Sequence, residues 1–248
     1  MSELILSDIT IMGEGYCVIG LELEADGSVR SVRPRPPTAF AWREPFQFRR
    51  GDAVECRLKP PPQVRLPHKE DMDTFGLQST PKKISHPELV RLLQKAERAS
   101  ALEEFFGCAP QRDHPKGNFW VREAEGTRSI CGCRFVNAYF EVYADQRWSL
   151  RARLLAEGNQ RFNTLPVVDR EWVRFLNSVV KLYKGADQRE QVKRHINRVT
   201  YPKFMRSPLK FARIGLARAN QGKCWLMLDS LFPQPEESWL AQPAQRAS

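Results

Sequence analysis

The sequence predicts a mainly β protein with α insertions (an α+β class), built as two β units with a helical segment between them. Three observations carry this. Short apolar runs alternate with turn signals over residues 1–62, the spacing of a small barrel or sandwich. The β pattern returns over 117–168 and again after residue 210. Two stretches, 85–106 and 169–199, instead place apolar residues at helical spacing.

The first strand is "ELILSDITIM" at 3–12, broken by Gly13 and Gly15. "YCVIGLELE" follows, alternating at Leu21, Glu22, Leu23 and Glu24. Asp26-Gly27 supplies the positive φ of a tight hairpin, and "SVRSVRP" returns. Val29 and Val32 are three apart and cannot share a face of a regular strand. Either a bulge intervenes or the strand ends early. Pro34, Pro36 and Pro37 then deny ladder pairing. "AVECRL" is a further alternating strand, closed by "KPPP".

Residues 63–83 are polar and irregular, an extended connection. Ser85 and Glu88 form a capping box for a helix with Leu89, Leu92, Leu93 and Ala96 on its apolar side. Leu102, Phe105 and Phe106 continue that face or form a second turn, and Gly107 is a stop. From 117 to 168 at least four strands are expected, with "EGNQ" as a turn. Ser149, Arg151 and Arg153 alternate there with Leu150, Ala152 and Leu154, one wet face and one dry. Asp169 caps a helix carrying Trp172, Phe175, Leu176, Val179 and Val180 on its apolar side. "ADQREQVKRHINRVT" is a second, more polar helix or its continuation. "LKFARIGLARA", a turn at "NQGK" and "CWLMLDSLF" close the chain with a hairpin. The units are thus 1–62, a connection and helix over 63–116, 117–235 with a helical insertion at 169–199, and a flexible tail at 236–248 whose Trp239 could dock.

The 248 residues suffice for one large domain or two small ones, and 42% are apolar, a globular composition. No apolar run reaches the roughly 18 residues of a membrane helix. The N-terminus carries acids and no basic start, so it does not read as a secretory signal, and a cytoplasmic location is expected. Lys plus Arg number 39 against 29 Asp plus Glu, a net charge of +10 that favours a polyanionic partner. The six cysteines read as reduced core thiols. A zinc site at Cys131 and Cys133 would need Cys108 and His114 at unusual spacing, so no metal is expected.

The front hairpin "GYCVIGLELEADGSVRSVRP" resembles the opening of bacterial proteins with a dual OB-containing domain. In that family a strand of the type G-x-C-V-x-G precedes a turn and a tryptophan or valine before Arg-Pro. The matching residues are Gly15, Cys17, Val18, Gly20, Val29, Arg33 and Pro34. "FRRGDAVECRL" is similar to the family's later strand. "LPVVDREW" is similar to its V-T-D cap before a helix, here Val167-Val168-Asp169 without the threonine. The closing hairpin matches at Ile214, Gly215, Leu216, Cys224 and Trp225. The resemblance runs in order along most of the chain, but the 86–106 helix and the 112–128 stretch do not match. It implies two OB-like β-barrels joined by a helical linker, and nucleic-acid recognition in bacterial defence or mobile-element systems.

Single-strand binding needs a cationic groove for phosphates and aromatic platforms for bases. The first candidate is the segment 189–218, with Lys193, Arg194, Arg198, Lys203, Arg206, Lys210 and Arg213, flanked by Arg189 and Arg218 and interleaved with Tyr201, Phe204 and Phe211. The second is the front hairpin and its loop, with Arg33, Arg35 and Trp42, alongside Arg30, Arg43, Arg49, Arg50, Phe40, Phe46 and Phe48. For the phenylalanines, plugging a barrel end is the competing role. "HKEDMD" at 68–73 could chelate a metal but reads better as a solvated loop, and His195 could at most touch a phosphate. No nucleotide-binding, hydrolase or zinc-protease motif is present, so no catalytic residue and no cofactor is expected. The expected role is a non-catalytic module binding single-stranded DNA or RNA. The alternative is an adaptor whose basic face docks an acidic protein partner from the same operon. Neither role involves a membrane.

Overall fold

The structure, a computed structural model, describes residues 1–37, 39, 41–43, 46–96, 99 and 101–241. It is mainly β, with two six-stranded sheets. The first holds β1 (Ser2–Met12), β2 (Gly15–Leu23), β3 (Val29–Arg35), β4 (Asp52–Cys56), β5 (Asp71–Asp73) and β6 (Gln78–Lys83). Its order is β5-β3-β2-β1-β4-β6, antiparallel except between β3 and β5. The second holds β7 (Trp120–Arg122), β8 (Ile130–Ala144), β9 (Trp148–Ala156), β10 (Arg161–Pro166), β11 (Phe211–Leu216) and β12 (Lys223–Phe232), in the order β10-β9-β8-β11-β12-β7. A parallel bridge from Val167 to Leu228 brings the chain leaving β10 onto β12, so this sheet curls into a half-barrel.

Among the described residues four α-helices accompany the sheets: α1 (His86–Ala96), α2 (Arg170–Leu182), α3 (Gln188–His195) and α4 (Tyr201–Arg206), the last two joined by a π-helical turn at Ile196–Thr200. The capping box forms as expected, Ser85 N–H donating to Glu88 at 2.9 Å and Glu88 N–H to the Ser85 hydroxyl at 3.4 Å. Asp169 caps α2 by accepting from Glu171 N–H at 3.0 Å. Expected as part of a linker, α1 instead packs Leu89, Val90 and Leu93 into a cluster with Ile5, Leu21 and Val29 of the first sheet and Phe211 and Phe232 of the second. It sits at the junction and shares its core.

That placement resolves the spacing of Val29 and Val32. The ladder between β2 and β3 runs without a register shift from Leu23–Val29 to Gly20–Val32. Val29 faces the α1 cluster, whereas Val32 joins Leu4, Leu6, Ile9 and Val54 on the opposite face. Both faces are covered, so neither a bulge nor an early end is needed. β1 is buried without a break from Leu4 to Thr10 for the same reason, Ser7, Asp8 and Thr10 included. Pro34 lies inside β3, opposite Met72. Its missing donor is stepped over, since Arg33 N–H and Thr74 N–H make the hydrogen bonds on either side.

The stretch 63–83, expected as an irregular connection, contributes β5 and β6 to the first sheet. All six cysteines are free, five of them buried, as expected of core thiols. Trp239 does dock, its ring centroid 6.1 Å from that of Trp172 and 6.3 Å from that of Phe175. Residues 242–248 of the expected tail lie outside the described residues.

Candidate nucleic-acid interface

The expected basic residues divide sharply by position. Arg194, Arg198 and Arg206 are exposed, and among the described residues none has a carboxylate at ion-pair distance. Lys193 is paired with Glu190 at 2.8 Å, one helical turn back. Lys203 donates to the Ser238 carbonyl at 2.6 Å. Lys210 is half-buried and borders a small cleft with Arg91 and Arg134.

Two expected contacts are corrected. Arg213 is fully buried, donating to the Ser31 hydroxyl at 2.9 Å with Asp8 at 3.6 Å. Arg33 is 3% exposed, donating to Asp71 at 2.9 Å and to the Ser129 hydroxyl at 2.9 Å. Neither guanidinium can meet a phosphate. Both tie the first sheet to the second, because β3 and β11 each meet the junction along an inward face. Arg35 is half-buried and paired with Asp73 at 2.9 Å. Trp42 is half-buried, its indole donating to the Pro34 carbonyl at 2.9 Å. Arg50 is buried against Asp169 at 3.1 Å. Phe40 lies outside the described residues. The front hairpin is therefore largely engaged in holding the fold.

The same junction explains "HKEDMD". His68, Glu70, Asp71 and Asp73 are buried, so the segment is not a solvated loop. Asp71 accepts from Arg33 and from Arg218, the latter at 2.7 Å, while Glu70 accepts from Ser129 N–H and hydroxyl at 2.8 and 2.9 Å. Charges buried at this depth persist because each is matched. Burial, then the neighbouring Arg33, hold the His68 pKa well below the usual imidazole value. His195 is also internal, with Nε2 2.8 Å from the Trp239 carbonyl and Nδ1 3.0 Å from the Tyr183 hydroxyl, and it faces no ligand surface.

One feature was not singled out from the sequence. Along β8, Phe135, Ala138, Phe140 and Val142 point into the half-barrel, while Arg134, Val136 and Tyr139 are exposed. Tyr139 lies opposite Arg153 of β9 and is 56% exposed. Its ring stacks on Tyr201 of α4, with centroids 5.8 Å apart and planes 15° from parallel. Tyr201 is fixed by its hydroxyl, which donates to Asn137 at 3.1 Å. Further along, Arg151 sits over the Tyr143 ring at 5.2 Å. Glu141 lies between these groups, paired with Arg153 and accepting from the Tyr143 hydroxyl at 2.9 Å. Arg161 of β10 extends the face, exposed and opposite Leu155.

The outer face of β8 and β9 thus carries aromatic rings between guanidinium groups. It meets the basic helical segment at Tyr201, which follows Arg194 and Arg198 in the chain. The alternation of Ser149, Arg151 and Arg153 gave half of this face; Tyr139 was the readable signal for the other half. Comparison with protein-family models, with curated proteins and with solved structures finds no significant match to this chain.

Proposed function

We propose that the protein is a non-catalytic nucleic-acid-binding module of two OB-like units, in which a single strand runs along the outer face of β8 and β9. The observation that carries this is the Tyr139–Tyr201 stack, its Tyr139 ring 56% exposed, together with Arg194, Arg198 and Arg206, which have no carboxylate at ion-pair distance among the described residues. Exposed aromatic rings accept stacked bases of any sequence, and neighbouring arginines take the phosphates. Arg161 on the sheet, and Arg194, Arg198 and Arg206 on the helices, are the phosphate ligands in this reading, whereas Arg153 is already paired with Glu141. From Arg134 to Tyr143 the strand spans about 30 Å, at roughly 3.3 Å per residue. That length accommodates a footprint within the roughly 4–16 nucleotides typical of one OB unit. The resemblance to bacterial dual OB-containing proteins, with its defence or mobile-element setting, belongs to the same proposal.

Fluorescence anisotropy with labelled single-stranded DNA and RNA tests it. Binding that weakens steeply with salt is expected. Absence of any complex at low salt, with single- or double-stranded DNA or RNA, ends this reading. The adaptor role, with an acidic protein docked on the same basic face, would then be pursued by pull-down with a defined partner.

A further inference from the structure

A groove of about 930 Å³ lies where the β8–β9 hairpin approaches the end of β1 and the face of α2. Its floor is apolar, from Ile11, Leu150, Val173 and Leu176. Its rim is not. Trp148 borders it while also packing against the core of the half-barrel, so the indole is held in place. Arg147 and Arg151 border it too, both exposed and without an ion-pair partner among the described residues. Asn177 stands beside Leu176 on the α2 side, one turn from Val173.

We infer that this groove is a nucleotide pocket. A fixed aromatic plane next to an apolar floor suits a nucleobase, and the Arg147 guanidinium, without an ion-pair partner among the described residues, suits the attached phosphate, with Arg151 lying over Tyr143 at the edge. Asn177 offers both a donor and an acceptor to the base edge. The volume lies within the range of small-molecule sites, about 300–1,000 Å³. Charge complementarity selects an anionic ligand, since Arg147 and Arg151 outnumber Asp145 in the lining. The inference rests on the strand-binding reading, because Arg151 belongs to both places: it covers Tyr143 on the outer face and lines the groove. A strand following β8 towards the hairpin would deliver a nucleotide here.

The test is a calorimetric titration of the full chain with adenosine and uridine 5′-monophosphates, with adenosine and with inorganic phosphate, alongside a labelled single-stranded 12-mer. The monophosphates should bind at least about tenfold more tightly than adenosine or phosphate alone. Trp148→Ala should weaken monophosphate binding by about five- to a hundredfold, the usual range for losing a base stack. Because Trp148 also contacts the core, Arg147→Glu, at an exposed position, provides an independent variant and should abolish the advantage of the monophosphate over adenosine. Monophosphate binding that is absent, or unchanged in Arg147→Glu, overturns the pocket. If the 12-mer binds regardless, the strand-binding reading stands without it; if the monophosphate binds and the 12-mer does not, the pocket stands and the strand-binding reading falls.

Discussion

Arg33 of β3 donates to Asp71 of β5 at 2.9 Å, with only 3% and 6% of the two residues exposed. A residue from one of the most basic stretches of the chain has become an internal clamp. Asp71 in turn holds Arg218 from the loop between β11 and β12, so one carboxylate joins both halves. Arg213 repeats the device from the other side, reaching Ser31 and Asp8.

Removing one partner of such a buried pair leaves the other charge uncompensated. Arg33→Ala should therefore lower stability by about 3–5 kcal/mol. Chemical denaturation at pH 7 measures it. The variant that remains folded should bind oligonucleotide as tightly as the parent; a selective loss of binding without loss of stability would return Arg33 to the interface.

Asp229 gives a pH-dependent counterpart. It is 2% exposed, and burial followed by the nearby Asp8 pushes its pKa up to about 7, against the opposing pull of Arg33 and Arg213. Its folded pKa exceeds its unfolded value, so its contribution to stability is full at acid pH and is lost as pH rises from about 4 through 7. Asp229→Asn should flatten that dependence and raise the melting temperature by several degrees at pH 8 while changing it little at pH 4. Melts across this range read the sign directly.

Gly215 stands against the same carboxylate. A Cβ at this position would lie 2.0 Å from an Asp229 carboxylate oxygen and 2.5 Å from its Cγ, inside a packed junction. Gly215→Ala should cost about 1–3 kcal/mol by overpacking. Thermal unfolding compared with Gly76→Ala, where a Cβ meets open space and the φ is not positive, separates this clash from general loss of glycine.

On the interface, Tyr139→Ala and Tyr201→Ala should each weaken single-strand binding by about 1–3 kcal/mol. Tyr139 is exposed, so its variant should keep parental stability. The two effects should fall short of additivity, because each ring orients the other. A double-mutant cycle by anisotropy measures the coupling.

Local signals were legible in the sequence. Asp169, and Ser85 with Glu88, cap their helices because a cap is decided within three residues. The wet face at Arg151 and Arg153 follows from strand alternation. What could not be read was the fate of individual arginines. Arg33 and Arg213 look like Arg194 and Arg198 in sequence, and only the topology brings Asp71, Ser31 and Asp8 to the first pair. Likewise, Tyr139 and Tyr201 become a platform only when α4 reaches the free stretch of β8.

The salt dependence of single-stranded oligonucleotide binding, measured for the parent and for Arg194→Ala/Arg198→Ala, tests the central claim most directly. Log K should fall linearly with log salt, and the double variant should reduce the magnitude of that slope by about 1.4, or roughly 0.7 per lost phosphate contact. A parent that binds with the same slope as the variant would contradict the placement of the strand on this helical face.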